Sequence, residues 1–259
     1  MDEEKLTQLQ RTLSGLSEQY RQQMDALAKS LTAMFQPRNQ LAATASAISS
    51  SFQPLLDTLA KIDWPKLQAQ MERSCERLAN LGWTLPMSFT LPQLVELADH
   101  GNTDQEVEQY MLDYFTFESG RFFLDLRGHV LGSKNLVGWR ALLEQCFDAY
   151  DRGHYLVPIP ALLSVIEGAV AQNAGKLKLP QLNSKKLAAD LEKAAPPGGM
   201  GFFVWRSARV VLDKLFASSD FGGPHPGELN RHWALHGRDQ TQWTQTDALR
   251  LFNLLATIS

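Results

Sequence analysis

Tyr155-Leu-Val-Pro-Ile-Pro-Ala-Leu-Leu-Ser-Val-Ile-Glu-Gly-Ala-Val-Ala171 is the most apolar run in the chain. Pro160 sits where a first helical turn would start, since its missing N–H costs nothing there. A helix apolar nearly all round belongs in the middle of a core. Its one charged side chain is Glu167. A carboxylate in such a run needs a partner. It either pairs with an Arg or Lys as structure or belongs to a functional site.

Helical signals continue on both sides. After the run come a basic loop over 172–183, a charged helix from about Ser184 to Ala194, and a break at Pro196-Pro-Gly-Gly199. The next helix spans Phe202 to Ala217, and Leu249, Phe252, Leu255 and Ile258 mark the buried stripe of a last one from Gln245. Before the run, Asp151-Arg-Gly-His154 turns the chain, Val137 to Tyr150 is helical, and Gly128 to Lys134 reads as a turn. Asp104 reads as the N-cap of a helix carrying Val107, Tyr110, Met111 and Tyr114. Leu91, Leu94, Val95 and Leu97 form an earlier turn set. Leu67 to Leu81 is a helix with Gly82 as its C-terminal cap. Trp83 to Pro92, with two prolines, reads as a connector.

At the N-terminus Leu6, Leu9, Leu13, Leu16, Tyr20, Met24, Leu27, Leu31 and Met34 are spaced close to a heptad. This predicts a long amphipathic helix or coiled-coil strand, ended or kinked at Pro37. It packs on its own domain, or else dimerises or binds a partner. No alternating strand pattern stands out, so the expected class is all-α. The expected domains are an N-terminal helical arm over 1–85 and a helical domain over 86–259.

Composition bounds the function. The chain has 259 residues, 44% hydrophobic and 20% charged, with net charge −3. A globular core is expected, and full disorder is excluded. Pro92 to Asp125 holds eight acids and one base, whereas Lys176 to Lys214 holds eight bases and three acids. The basic half is compatible with a polyanion partner. Cys75 and Cys146 are the only cysteines, which excludes a disulfide framework and a cysteine metal site and fits a reducing cytosol. MDEEKLTQLQ is no secretory signal, and no apolar run reaches about 18 residues, so a cytoplasmic protein without a membrane span is expected.

Reactive side chains concentrate in Glu228-Leu-Asn-Arg-His-Trp-Ala-Leu-His-Gly-Arg238, which follows the Pro/Gly-rich loop Phe221-Gly-Gly-Pro-His-Pro-Gly227. Three chemistries compete for it. Arg231 and His236 suit phosphodiester cleavage: the imidazole moves protons near neutral pH, and the guanidinium clamps phosphate and stabilises growing charge. Five residues put the two about 140° apart on an ideal helix, so convergence needs a helix end at His236, or a second protomer across a twofold axis. Alternatively His232 and His236, at i and i+4, share a face and with His225 would offer three zinc ligands. The zincin pattern needs Glu after the first His, where this chain has Trp233. Thirdly, Arg231 pairs with Glu228 or Glu167, and the histidines cap a helix end.

Leu-Asn-Arg-His-Trp-Ala-Leu-His-Gly, close to a final helix, resembles the HEPN superfamily, whose nuclease motif is an Arg, commonly a polar residue, and a His four to six positions after the Arg. Arg231, His232 and His236 match it. Ile159-Pro-Ala-Leu-Leu-Ser-Val-Ile-Glu-Gly168 is similar to the neighbouring helix of bacterial members. The resemblance covers about residues 140–259. It implies a HEPN-like helical bundle that dimerises, with both motifs lining one composite cleft. It also implies a metal-independent endoribonuclease that needs no cofactor and leaves a 2′,3′-cyclic phosphate and a 5′-hydroxyl. Members commonly act as toxins of toxin–antitoxin, abortive-infection or other antiphage systems, often on tRNA. On this reading His236 is the general acid/base, Arg231 the clamp and His232 a positioning donor, with Glu167 orienting Arg231 or a histidine. Asn230, Arg238, Arg206, Arg209, Lys185 and Lys186 are candidate RNA contacts. The N-terminal helices would hold the dimer or bind an antitoxin or sensor. The rival is a non-catalytic helical adaptor that assembles a complex.

Overall fold

The computed structural model describes residues 63–99, 103–176, 200–218, 220–239 and 243–259. The heptad arm, residues 35–62, and the helix expected over 184–194 with Lys185 and Lys186 lie outside them. Among the described residues every regular element is helical. In order these are α1 Trp64–Asn80, α2 Leu91–Asp99, α3 Asp104–Gly132, a 3-10 helix Lys134–Trp139, α4 Arg140–Asp151, α5 Pro158–Lys176, α6 Met200–Leu215, α7 Arg231–Leu235 and α8 Gln245–Ile258. None of them is long and apolar enough to cross a membrane.

The chain divides into two compact units. The described part of the first is 63–70 with α2. In it the Asp63 carboxylate accepts from the Lys66 N–H at 3.1 Å and the Asp63 carbonyl from the Leu67 N–H at 2.9 Å. Asp63-Trp-Pro-Lys66 therefore opens α1, which starts at Trp64 rather than at the expected Leu67. Pro65 fits because the first turn has no internal acceptors to lose. Leu94, Val95 and Leu97 are buried on α2.

The second unit, 71–90 and the described residues from 103 on, is built around α8. α8 packs on α5, α3 and α6, and every residue from Ala248 to Ile258 except Arg250 is buried. The expected one-sided stripe is thus a helix buried all round. α5 is also central: Ile159, Leu162, Leu163, Val165, Ile166 and Val170 are fully enclosed. Phe252 stacks on Phe147 at 4.2 Å, and Phe123 meets both edge-on. Phe117, by contrast, is largely exposed. Cys75 and Cys146 are buried free thiols, and burial pushes Cys146 up to about 11, so it stays protonated and unreactive at neutral pH.

Local signals set most helix ends. α1 stops where Gly82 takes φ +84°: the Trp83 N–H reaches the Leu78 carbonyl at 2.9 Å and the Gly82 N–H that of Ala79 at 3.1 Å, a paired closure. α8 opens on a Thr244–Asp247 capping box. α3 corrects two expectations. Its N-cap is Thr103, not Asp104, because the Thr103 hydroxyl accepts from the Glu106 N–H while Glu106 returns a bond to the Thr103 N–H. It also runs through Gly128 to Gly132, since a helical Gly costs only about 1 kcal/mol, which packing elsewhere on the helix offsets.

The connector is not a linker. Trp83, Thr84 and Leu85 are completely buried. The Trp83 indole N–H donates to Glu108, and Arg250 bridges Glu108 and Asp247. The Ser207 hydroxyl accepts from the Leu85 N–H at 2.8 Å. The Asn253 amide donates to the Thr84 carbonyl at 2.7 Å and hydroxyl at 2.8 Å. Asn253→Leu keeps the branched heavy-atom skeleton but strands the Thr84 carbonyl in the core. Stranding one buried acceptor costs about 1–3 kcal/mol. Chemical denaturation should show that loss with an unchanged slope, and an equal midpoint would refute the role given to this amide.

Candidate functional site

α7 is five residues long and held from both ends. Asn230 is its N-cap: its side-chain oxygen accepts from the N–H groups of His232 at 2.9 Å and Trp233 at 3.3 Å. Its amide nitrogen donates to the Ala217 carbonyl at 3.0 Å, tying α7 to the end of α6. At the other end Gly237 has φ +65°, and the Arg238 N–H closes on the Trp233 carbonyl at 2.9 Å. His236 is the C-cap, the helix end its spacing from Arg231 requires. Trp233 is 9% exposed and anchors the turn from below, with the Phe221 and His225 rings edge-on to it at 5.8 and 5.0 Å.

Arg231 lies at the first helical position, and its Nη2 meets Glu167 Oε1 on α5 at 3.1 Å. The carboxylate in the apolar helix has found its partner. Of the two acids weighed for Arg231, Glu167 is the one it pairs with, while Glu228 pairs with Lys214 at 3.2 Å. The Arg231 guanidinium also covers the Phe216 ring at 5.3 Å, and its buried Nε–H has no acceptor among the described residues. The side chains of Arg231 and Glu167 keep 22% and 30% exposure. The pair therefore falls between exposed pairs worth under about 1 kcal/mol and buried ones that cost about 3–5 kcal/mol to break.

His232 and His236 are neighbours, as their spacing predicts, with ring centroids 6.2 Å apart and ring planes 4° from parallel. Burial, then the positive charge of Arg231 and then His236, push the His232 imidazole below its ordinary value, while Glu167 pulls it upward. His232 is therefore neutral at neutral pH. His236 is exposed and meets the Phe221 ring edge-on at 5.5 Å. His225 points its chemistry elsewhere: its Nδ1 accepts from the Gly227 N–H at 3.0 Å and its Nε2 lies 3.5 Å from Asp239. Trp243 also donates to Asp239, at 2.8 Å. The three-histidine set is thus not assembled, and among the described residues no group of three or more His, Cys, Asp or Glu is placed to hold a metal ion.

The candidate RNA contacts scatter. Asn230 is corrected from RNA contact to cap: it is 3% exposed and both ends of its amide are spent. Arg206 pairs with Glu76 at 2.7 Å, and Arg209 is half-buried on α6. Arg238 is exposed, with its guanidinium 5.3 Å over Phe221. Two features escape the sequence reading. One is Phe221, presented by a turn in which Asp220 accepts from the N–H groups of Gly222 and Gly223. Its only sequence signal is an aromatic ahead of a Pro/Gly loop. The other is a 390 Å³ cleft that includes Lys214, Glu228, Asp239, Trp243 and Arg250. None of Arg231, His232, His236 or Glu167 lines it. Its charges are paired, Lys214 with Glu228, His225 with Asp239 and Arg250 with Asp247.

NMR titration of the imidazoles tests the electrostatics. His232 titrates below 6.5. Glu167→Gln should lower it further and Arg231→Ala should raise it; opposite movements would overturn the arrangement. The stability effect follows in sign. Between the depressed folded value and 6.5 the unfolded chain binds the extra proton, so the His232 contribution is complete above 6.5 and lost as pH falls through that window. No protein-family model, curated protein or solved structure matches this chain.

Proposed function

We propose that this protein is a HEPN-like endoribonuclease, a toxin or antiphage-defence effector that cleaves tRNA or other RNA. The observation carrying the reading is the group at α7: Arg231 at its start, the neutral His232 beside it and the exposed His236 at its end. In the reaction the ribose 2′-OH loses a proton to a base, its oxygen bonds to phosphorus, and the bond to the 5′-oxygen breaks as that oxygen gains a proton. The products are a 2′,3′-cyclic phosphate and a 5′-hydroxyl. His236 supplies the proton transfers and Arg231 neutralises the non-bridging oxygens. His232, its proton affinity lowered by burial and by Arg231, positions by hydrogen bonding. Glu167 holds Arg231 until phosphate replaces it. The unmet Nε–H of Arg231 supports that exchange, because an oxygen brought to the guanidinium relieves a buried donor worth roughly 1–3 kcal/mol. The composite site belongs to a homodimer, with α7 of a second copy facing the first.

A second reading is a non-catalytic helical adaptor. The Arg231–Glu167 pair and the Phe216 contact favour it, since both are what a purely structural arginine makes.

Incubation of the purified protein with total tRNA in EDTA separates the two. Under the nuclease reading wild type cuts, and Arg231→Ala and His236→Ala each lose at least about 100-fold, the usual cost of removing a proton-transfer group or an oxyanion stabiliser. A mass measurement in solution should give a dimer. Intact tRNA, with no toxicity on expression, would leave the adaptor. Cleavage abolished by EDTA would return a metal to the site.

A further inference from the structure

Phe221 is an aromatic side chain left 38% exposed beside the reactive turn. The turn that carries it is tied by Asp220, which accepts from the Gly222 N–H at 2.9 Å, and its ring meets buried Trp233 edge-on at 5.8 Å. Also against the ring are His236, edge-on at 5.5 Å, and the Arg238 guanidinium over it at 5.3 Å. A braced, half-open aromatic face with an exposed cation over it and an imidazole at its rim is a surface for a flat, anionic-backboned group. A nucleobase supplies the flat face and its phosphate the negative charge.

We propose that Phe221 is the stacking platform for one unpaired base next to the cleaved bond, and that Arg238 leaves the ring for a neighbouring phosphate when the base arrives. The inference rests on the endoribonuclease reading and narrows its substrate to single strands and loops. A base inside a duplex has both faces covered and offers none to Phe221. Arg238 exchanges a weak exposed contact with the ring for a phosphate, and the ring exchanges it for the larger surface of a base. Stacking does not depend on base identity, so the platform selects for unpaired nucleotides rather than for a sequence. The base on Phe221 sets its own ribose beside His236, where the 2′-OH must be.

The test uses the full chain and a single-stranded oligoribonucleotide whose cleaved bond is first mapped with wild type. Phe221→Leu keeps apolar packing on Trp233 and removes the π face. It should raise KM roughly tenfold with kcat within about twofold, and Phe221→Tyr should restore KM. An oligonucleotide abasic at the stacked position should cost wild type a similar factor and leave Phe221→Leu nothing further to lose. Arg238→Gln should reduce the salt slope of binding by about one phosphate. An unchanged KM in Phe221→Leu, a loss that persists in full on the abasic strand, or equal cutting of duplex and single strand would each overturn the platform and leave the nuclease reading standing. Wild type that cuts no RNA of either kind overturns both.

Discussion

Asn253 sits in the middle of a helix with no solvent face, and its amide must bond inside the protein or destabilise it. It bonds to Thr84, in the completely buried non-helical stretch 83–85. Thr84 in turn meets the Thr257 hydroxyl, and Leu85 meets Ser207 on α6. Burying α8 all round thus forces a short polar seam through the core, and the seam fixes where 83–85, α6 and α8 lie. An unmet polar group costs more than one methyl contact yields, so the seam sets the register and apolar packing fills in around it.

The α7 turn inherits its position from that frame. Five residues are far too few for a helix to persist alone in water. It exists because Asn230 spends one end of its amide on the cap and the other on the end of α6, and because Trp233 is buried. Glu167 reaches Arg231 from α5, whose apolar faces hold it against α8. The Arg231 guanidinium is therefore oriented by an acid on α5, an element far from α7 in sequence. His232 reports the result: its proton affinity is set jointly by burial, by Arg231 and His236, and in opposition by Glu167.

Much of this was readable one residue at a time. The bounds of α8, the cap at Gly82, the closure at Gly237 and the nearness of His232 to His236 follow from local rules of spacing and left-handed backbone. The central place of α5 follows from its apolar circumference. Glu167 was recognisable as a carboxylate needing a partner. Local rules failed where two residues compete for one job or where packing overrules a weak preference. Thr103 and Asp104 are both good caps, and the reciprocal bond with Glu106 chose between them. Prolines and absent periodicity made 83–92 look like a linker, because no periodic signal marks a segment buried in extended form. Asn230 looked like an RNA contact because nothing in a sequence shows that both ends of an amide are spent.

By itself, then, the sequence determined the helical class, the central place of α5, the bounds of α8 and the turn that carries Arg231, His232 and His236, since each depends on periodicity, capping or spacing within a few residues. Only the tertiary structure decided that Arg231 pairs with Glu167 instead of Glu228, that His225 turns to Asp239 and away from the other histidines, and that Phe221 stands open beside His236. Those choices turn on distances between groups that lie 14 to 64 residues apart. Such distances are set by how the helices pack around α8, and no local pattern encodes them.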